Sequence, residues 1–350
     1  MSAPPAFSVV SPAPRDSWSA IVLGSEEAMA FHTPEWVDCI CASGKWVDAS
    51  RLYETVNGRR AILPMVRRRW PRAELAPHAS LPYGWGFGGV VATGRVAEHD
   101  IALAMTDIAT DPAVRTSVRP NPLSRDAWQR AVQGSQSTFP RSAHVLALGG
   151  GFDHIWTSKF TGTARTAVRK AERSGLRVES DTTGRLLPAF YELYLKSIER
   201  WTSGPLRRIG RWRSERRDSF EKFRMVFRHA DGMCRLWVAS IDDRAVASIM
   251  VLTCGRNANY WRGAMDLSFA GPTRANYLLH RLAIEDACAS DCHYYHMGET
   301  GQSASLAQFK SRFGALAVAY EEYRFERLPL TPARERLRVR RAAPTVAPHR

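Results

Sequence analysis

Apolar and polar positions alternate in the same order along two stretches of the chain. "RLYETVNGRRAILPMV" begins at Arg51 and "RLWVASIDDRAVASIMV" at Arg235; each has a turn, at Asn57-Gly58 or Asp242-Asp243, between two alternating runs. That pattern predicts a β-hairpin. After the first hairpin come a Gly/aromatic strand (Trp85–Val91), a helical run (His99–Ala109), a strand (Arg115–Val118), a helix (Asp126–Val132) and a strand (Ala143–Leu148). After the second come a strand (Ala258–Met265), a helix (Ala275–Ala289), a strand (His293–Met297), a helix (Ser305–Arg312) and a strand (Ala317–Phe325). Two copies of one α/β (α+β) unit, each a mixed, largely antiparallel sheet flanked by helices, fit 350 residues better than one core. The expected division is 1–150 for the first unit, 151–330 for the second, and a basic, Pro-rich, disordered tail at 331–350.

In the linking segment, Arg165, Arg169 and Arg173 recur every four residues and share one helix face, with Lys170 beside them. Gly175 ends that helix. A second apolar stripe runs over Leu186–Ile198, and "RWTSGPLRRIGRWRSERR" then holds seven arginines against one glutamate, as a loop or broken helix. The formal net charge of +15 makes RNA, nucleotide phosphates or an anionic membrane surface the natural partners. No stretch approaches the ~20 apolar residues of a spanning helix. The Pro/Ser-rich start lacks a signal-peptide core, so a cytoplasmic location without membrane insertion is expected. The six cysteines show no CxxC, which suits a reducing compartment. Cys288, Cys292, His293 and His296 do not predict a metal site, because the two histidines on one strand face opposite sides.

One lysine is hard to place by pattern alone. Lys310 lies between Phe309 and Phe313 in a short helical run. Either its stem covers apolar neighbours with the amine in water, or its charge is aimed into a cleft.

The order of these pieces resembles the Fem-like branch of the GNAT acyltransferases, the superfamily that includes peptidoglycan-bridge aminoacyltransferases. The resemblance rests on "RTAVRKAERSGLRVE", "YWRGAMD", "ANYLLHRLAIEDACASDCHYYHMGETG" and "FKSRFG", with "TPEWV" and "RPNP" in the first half. It implies tandem GNAT-like domains and acyl transfer to an amine, from aminoacyl-tRNA in some members and acyl-CoA in others. It puts Lys310 in the transfer channel, steadying an oxyanion or terminal phosphate, with Phe309 as a wall. It also brings the channel past Arg165, Arg169 and Lys170. Tyr260 and Arg262, two apart on one strand, then point the same way into the cleft. Asn276 and Tyr277 open the helix that approaches the donor, although Asn276 could instead be an N-cap. His296 and Glu299 stand at a strand end, where either could take the proton of the attacking ammonium. Tyr83 and Trp85 are candidates for the acceptor side.

Both donors are activated acyl groups, and direct transfer agrees with the lack of a GxSxG element. CoA-dependent members cradle pyrophosphate on backbone N–H groups in an [RQ]-x-x-G-x-[GA] turn. Here "FAGPTRANYLL" follows Gly271 with Pro272, which has no N–H, and lacks the second glycine, though Arg274 could reach a phosphate. The arginine surplus suits a tRNA acceptor stem. The expectation is a transferase without a tightly bound cofactor, moving an aminoacyl group from tRNA to a small-molecule or cell-wall-type amine. The alternatives are an acyl-CoA-dependent N-acyltransferase using acetyl-CoA, and a non-catalytic RNA-binding module.

Overall fold

The computed structural model describes residues 7–132, 137–202, 207–230, 232–301 and 303–327. The expected tail lies outside them. The first unit runs β1 (Phe7–Val10), α1 (Arg15–Leu23), α2 (Pro34–Ala42), β2 (Trp46–Asp48), β3 (Arg51–Thr55), β4 (Arg60–Leu63), β5 (Val66–Arg68), β6 (His78–Ser80), β7 (Val91–Ala92), α3 (Glu98–Thr110), β8 (Arg115–Val118), α4 (Arg125–Ala131) and β9 (Ser137–Ala147). The second opens with α5 (Gly151–His154) and α6 (Gly162–Glu172), then β10 (Arg177–Asp181), α7 (Leu187–Trp201), α8 (Arg207–Arg217) and α9 (Phe220–His229). It continues with β11 (Cys234–Ile241), β12 (Arg244–Cys254), β13 (Asn257–Met265), α10 (Leu267–Thr273), α11 (Ala275–Ala289), β14 (Tyr294–Glu299), α12 (Ala304–Ser311) and β15 (Leu316–Glu326).

Eleven strands form one sheet in the order β10-β11-β12-β13-β14-β9-β15-β8-β6-β5-β2. Its middle is a pseudo-symmetric exchange. β9, the last strand of the first unit, inserts between β14 and β15, and β15 inserts between β9 and β8. Arg115 pairs with Glu326 as Tyr294 pairs with Ala147, and Ser137 pairs with Arg324 as Leu316 pairs with Val145. These counterparts are 179 positions apart, the difference between 115 and 294 and between 137 and 316, until a bulge in β14 after His296 puts Gly298 in the place of Val118. Each unit completes the other's sheet, so a boundary at residue 150 divides the sequence but not the hydrogen-bonded core.

The first unit departs from the second where its strands break. β2/β3, β5/β4 and β6/β7 are halves that peel apart, and β1-β3-β4-β7 forms a separate small sheet. Pro64, which cannot donate to a ladder, stands between β4 and β5. The strand expected over Trp85–Val91 reduces to Val91–Ala92, because Gly84, Gly86 and Gly89 adopt positive φ. Gly86 is also needed for close approach: a Cβ there would fall 2.4 Å from the Phe31 ring. The helices match expectation within a few residues, and the arginine-rich stretch resolves into α8.

One apolar core lies under α2, α7 and α9 and joins the two units through Trp36, Trp85 and Trp261. A second lies under α6 and α11. The basic face of α6 is left outward, with Ala164, Ala167, Val168 and Ala171 packed inward. Among the described residues, no helix is long and apolar enough to cross a membrane.

Candidate active site

β13 and β14 run parallel but pair only from Asn257↔Tyr294 to Asn259↔His296. Beyond that point the strands diverge and leave a cleft of about 700 Å³ between the units. The first unit contributes Phe31, the Tyr83–Phe87 loop and Arg119 to its wall, and the second contributes β13, α7 and α12. The register of β12 and β13 shifts so that Met250 faces Arg262 while Val251 faces Tyr260, leaving Trp261 as a bulge. The bulge corrects the expectation that Tyr260 and Arg262 point the same way. Tyr260 turns to the α11 side, with its ring 4.7 Å from His280, and Arg262 turns to the first unit. Gly263 permits this, since a Cβ there would meet the Tyr260 hydroxyl at 2.2 Å.

The first-unit side of the cleft is basic. Asp218 is buried and accepts from Lys222 Nζ at 2.7 Å, Arg217 Nε at 2.8 Å, Arg262 Nη2 at 3.1 Å and the Tyr194 hydroxyl at 2.9 Å. Burial alone would raise its pKa, but Arg262, Lys222 and Arg217 hold the carboxyl far below the usual range. Lys222 is pushed down to about 7 by burial, and its ammonium lies 4.3 Å from the Trp85 ring centroid. Arg262 and Lys222 also donate to the Gly84 carbonyl, at 2.6 and 3.0 Å, fixing the glycine loop on β13. Arg119 and Arg217 both flank the exposed Tyr83 ring.

Lys310 is the only buried residue of α12, which rules out an amine in water. Its Nζ donates to the carbonyls of Gly298 (2.9 Å) and Glu299 (2.8 Å) and to Thr300 Oγ1 (3.2 Å). All three ammonium hydrogens therefore hold the turn after β14, and contact with an oxyanion requires giving one up. Burial pushes this lysine down to about 7, partly opposed by Glu299. The Glu299 carboxylate accepts from the Tyr320 hydroxyl at 2.5 Å, lies 3.7 Å from Arg119 and lines the cleft.

The apex of the divergence is polar and buried. Asn257 Nδ2 donates to the Ala28 carbonyl at 2.9 Å, so its Oδ1 faces His296 Nε2, 2.9 Å away. His296 must then carry its proton on Nε2 and present a bare lone pair at Nδ1. Burial pushes its pKa down to about 3, so the ring is neutral. His296 Nδ1, both amide atoms of Asn259 and Trp261 Nε1 are buried with no hydrogen-bond partner among the described residues.

Of the residues singled out by sequence, Lys310, His296, Glu299, Phe309, Tyr260, Arg262, Asn276 and Tyr83 line this cleft. Five do not. Arg165 donates to the Trp156, Thr157 and Phe160 carbonyls, while Arg169 and Lys170 face outward on α6. Tyr277 is buried on Phe309 and Phe313, its hydroxyl accepting from Arg312 at 2.7 Å. Trp85 sits behind the wall, against Trp36 and Trp261. Asn276 is not an N-cap, since α11 starts at Ala275; its Nδ2 lies 2.9 Å from Met265 Sδ. Sequence reading missed Asn259, Trp261, Arg119 and the partners of Arg262 in its cluster, Asp218, Lys222, Arg217 and Tyr194. A signal existed for two of these: Asp218 and Lys222 are four apart, with Lys222 on the apolar stripe of α9.

A parallel pair that opens halfway into a cleft is the arrangement of a GNAT-type fold. Residues 158–311 match the family model of the acetyltransferase (GNAT) domain. FemX has the same fold, with a TM-score of 0.62 at 12% identity over 94% of this chain and 99% of that one. The C-terminal domain of a putative lysylphosphatidylglycerol synthetase from Agrobacterium fabrum superposes with a TM-score of 0.53 at 12% identity, covering 93% and 95% of the two chains. L-PGS from Bacillus licheniformis gives 0.53 at 10% identity, covering 94% and 96%. No curated protein matches the sequence significantly.

Proposed function

We propose that the protein transfers an aminoacyl group from aminoacyl-tRNA to a small amine and so forms an amide. The supporting observation is at the N-terminus of α11, where a CoA pyrophosphate would need free backbone N–H groups. There α10 and a left-handed Arg274 (φ 61°) lead straight into the helix. Pro272 offers no N–H, Ala275 is fully buried, and the Tyr277 N–H is spent on the Arg274 carbonyl at 2.9 Å. An aminoacyl-tRNA places no such demand, and the +15 charge favours it.

In this reading the acceptor nitrogen attacks the ester carbonyl, the N–C bond forms and an oxyanion develops. Collapse breaks the C–O bond to the ribose, which leaves as its hydroxyl. Glu299 takes the proton of the attacking nitrogen and returns it to the ribose oxygen. Lys310 holds the Gly298–Thr300 turn, and so Glu299, in place; positioning of this kind can supply several kcal/mol. Tyr320, whose hydroxyl is pushed well up by burial and by Glu299, stays protonated and orients that carboxylate.

Titration with acetyl-CoA, charged tRNA and uncharged tRNA at two salt concentrations tests the reading. Selective binding of charged tRNA is the expected result, and saturable CoA binding that survives salt would replace it with an acyl-CoA enzyme. Lys310→Met should remove transfer to a pool of small amines while the protein stays folded by circular dichroism. Unchanged transfer would take Lys310 out of the mechanism.

A further inference from the structure

The deepest point of the cleft carries hydrogen-bonding capacity that the protein itself does not use. Asn259 and His296 form the last pair between β13 and β14, each 1% exposed, and both face the cleft. Leaving such groups unpaired is destabilising, which selection tolerates where a ligand completes them. Their functionality is specific. His296 Nδ1 and Asn259 Oδ1 can only accept, while Asn259 Nδ2 and Trp261 Nε1 can only donate. The tautomer of His296 is locked by Asn257, whose own amide is fixed by Ala28. A ligand that satisfies this set must bring N–H or O–H donors next to a carbonyl-type acceptor.

An unsubstituted alkyl chain, such as the methyl of an acetyl group, brings neither. An α-aminoacyl group brings both on adjacent carbons. The titratable neighbour acting on His296 is His32, also buried and neutral, its Nε2 3.1 Å from the Gly88 carbonyl. An α-amino group has an ordinary pKa of about 7.7–8.0 and would enter this buried site as the neutral amine. A tRNA body is too large for a cleft of about 700 Å³, so only the acyl end of the donor reaches the apex.

We propose that Asn259 and His296 form the subsite that reads the free α-amino group of the transferred unit, with Trp261 Nε1 beside them for its carbonyl. The enzyme then selects α-aminoacyl donors and rejects N-blocked ones. The inference rests on the aminoacyl-tRNA reading above and deepens it.

The test is a binding titration of the whole chain with three probes: tRNA charged with mixed amino acids, the same pool N-acetylated with acetic anhydride, and uncharged tRNA. The free-amine pool should bind about tenfold more tightly than the N-acetylated pool, the size of a hydrogen bond lost at a buried group. Asn259→Leu should reduce that preference to about twofold while affinity for uncharged tRNA stays the same. Equal affinity of the wild-type protein for free and N-acetylated pools overturns the subsite and leaves the aminoacyl-tRNA reading standing. Charged pools that bind no better than uncharged tRNA, together with saturable acetyl-CoA binding, overturn both. If Asn259→Leu fails to fold by thermal melt, the wild-type comparison of the two pools decides alone.

Discussion

The two halves share one frame, yet only one of them has an opening. In the second unit, pairing between β13 and β14 stops at Asn259↔His296 and the strands part. In the first, the chain beyond β6 is drawn back to the end of β8 by a parallel bridge, Gly88↔Pro120, with the Gly88 N–H 2.7 Å from the Arg119 carbonyl. Counterpart positions show the same division. Ala131 stands where the second unit has Lys310, and, past the bulge in β14, Arg119 where it has Glu299. Ala307 corresponds to Trp128, which is fully buried, stacked on Tyr323 at 5.2 Å, and in reach of Gly89. The first unit has exchanged a cleft for a filled core, and its loops serve instead as a wall of the other unit's site. The fold sets where an opening can form, and a few side chains decide whether it stays open.

The comparison can be broken most sharply at Glu299. Glu299→Gln should lower kcat by about 10²–10⁴-fold if this carboxylate moves the proton. A loss confined to KM would assign it to binding instead. Trp128→Ala should cost about 3–5 kcal/mol of stability as a large-to-small core change. Its kcat, measured well below the melting temperature, should match wild type; a matching loss of kcat would mean that the first unit's core reaches into catalysis. The smallest effect is a pH dependence. Lys310 is lowered from 10.5 to about 7, so between those values the unfolded chain holds a proton that the folded chain has released. Stability from this group therefore rises with pH across that window. Melting curves of wild type should gain a few degrees on Lys310→Met from pH 7 to 10, and parallel curves would contradict the burial of that charge.

Much of this was legible along the chain, for reasons that can be named. The hairpins, α11 and the pair of β8 and β14 follow from local periodicity, which tertiary packing did not override. Lys310 stood out as a cation among phenylalanines, but the pattern left its amine in water or in a cleft, and its burial is fixed by the turn it holds. What was not legible depends on register. The bulge at Trp261 separates Tyr260 from Arg262, and no property of either residue announces it. Asn259 looks like any polar residue on a strand until its neighbours across the sheet are known. The outward basic face of α6 has the composition of a binding helix, but Ala164, Ala167 and Val168 pack on α11 and leave that face outside the cleft.

The strand exchange has a consequence for how the molecule can be taken apart. β9 lies between β14 and β15, and β15 between β9 and β8, so each half contains a slot that only the other half's chain can occupy. A fragment ending near residue 150 would expose the edges that β15 normally covers, and its complement would expose those of β9. Each is then a half-zipped partner with sticky margins, and the two halves should recover only when mixed. A duplication stitched in this way is not undone by deleting one copy, because each copy holds strands in the other's sheet.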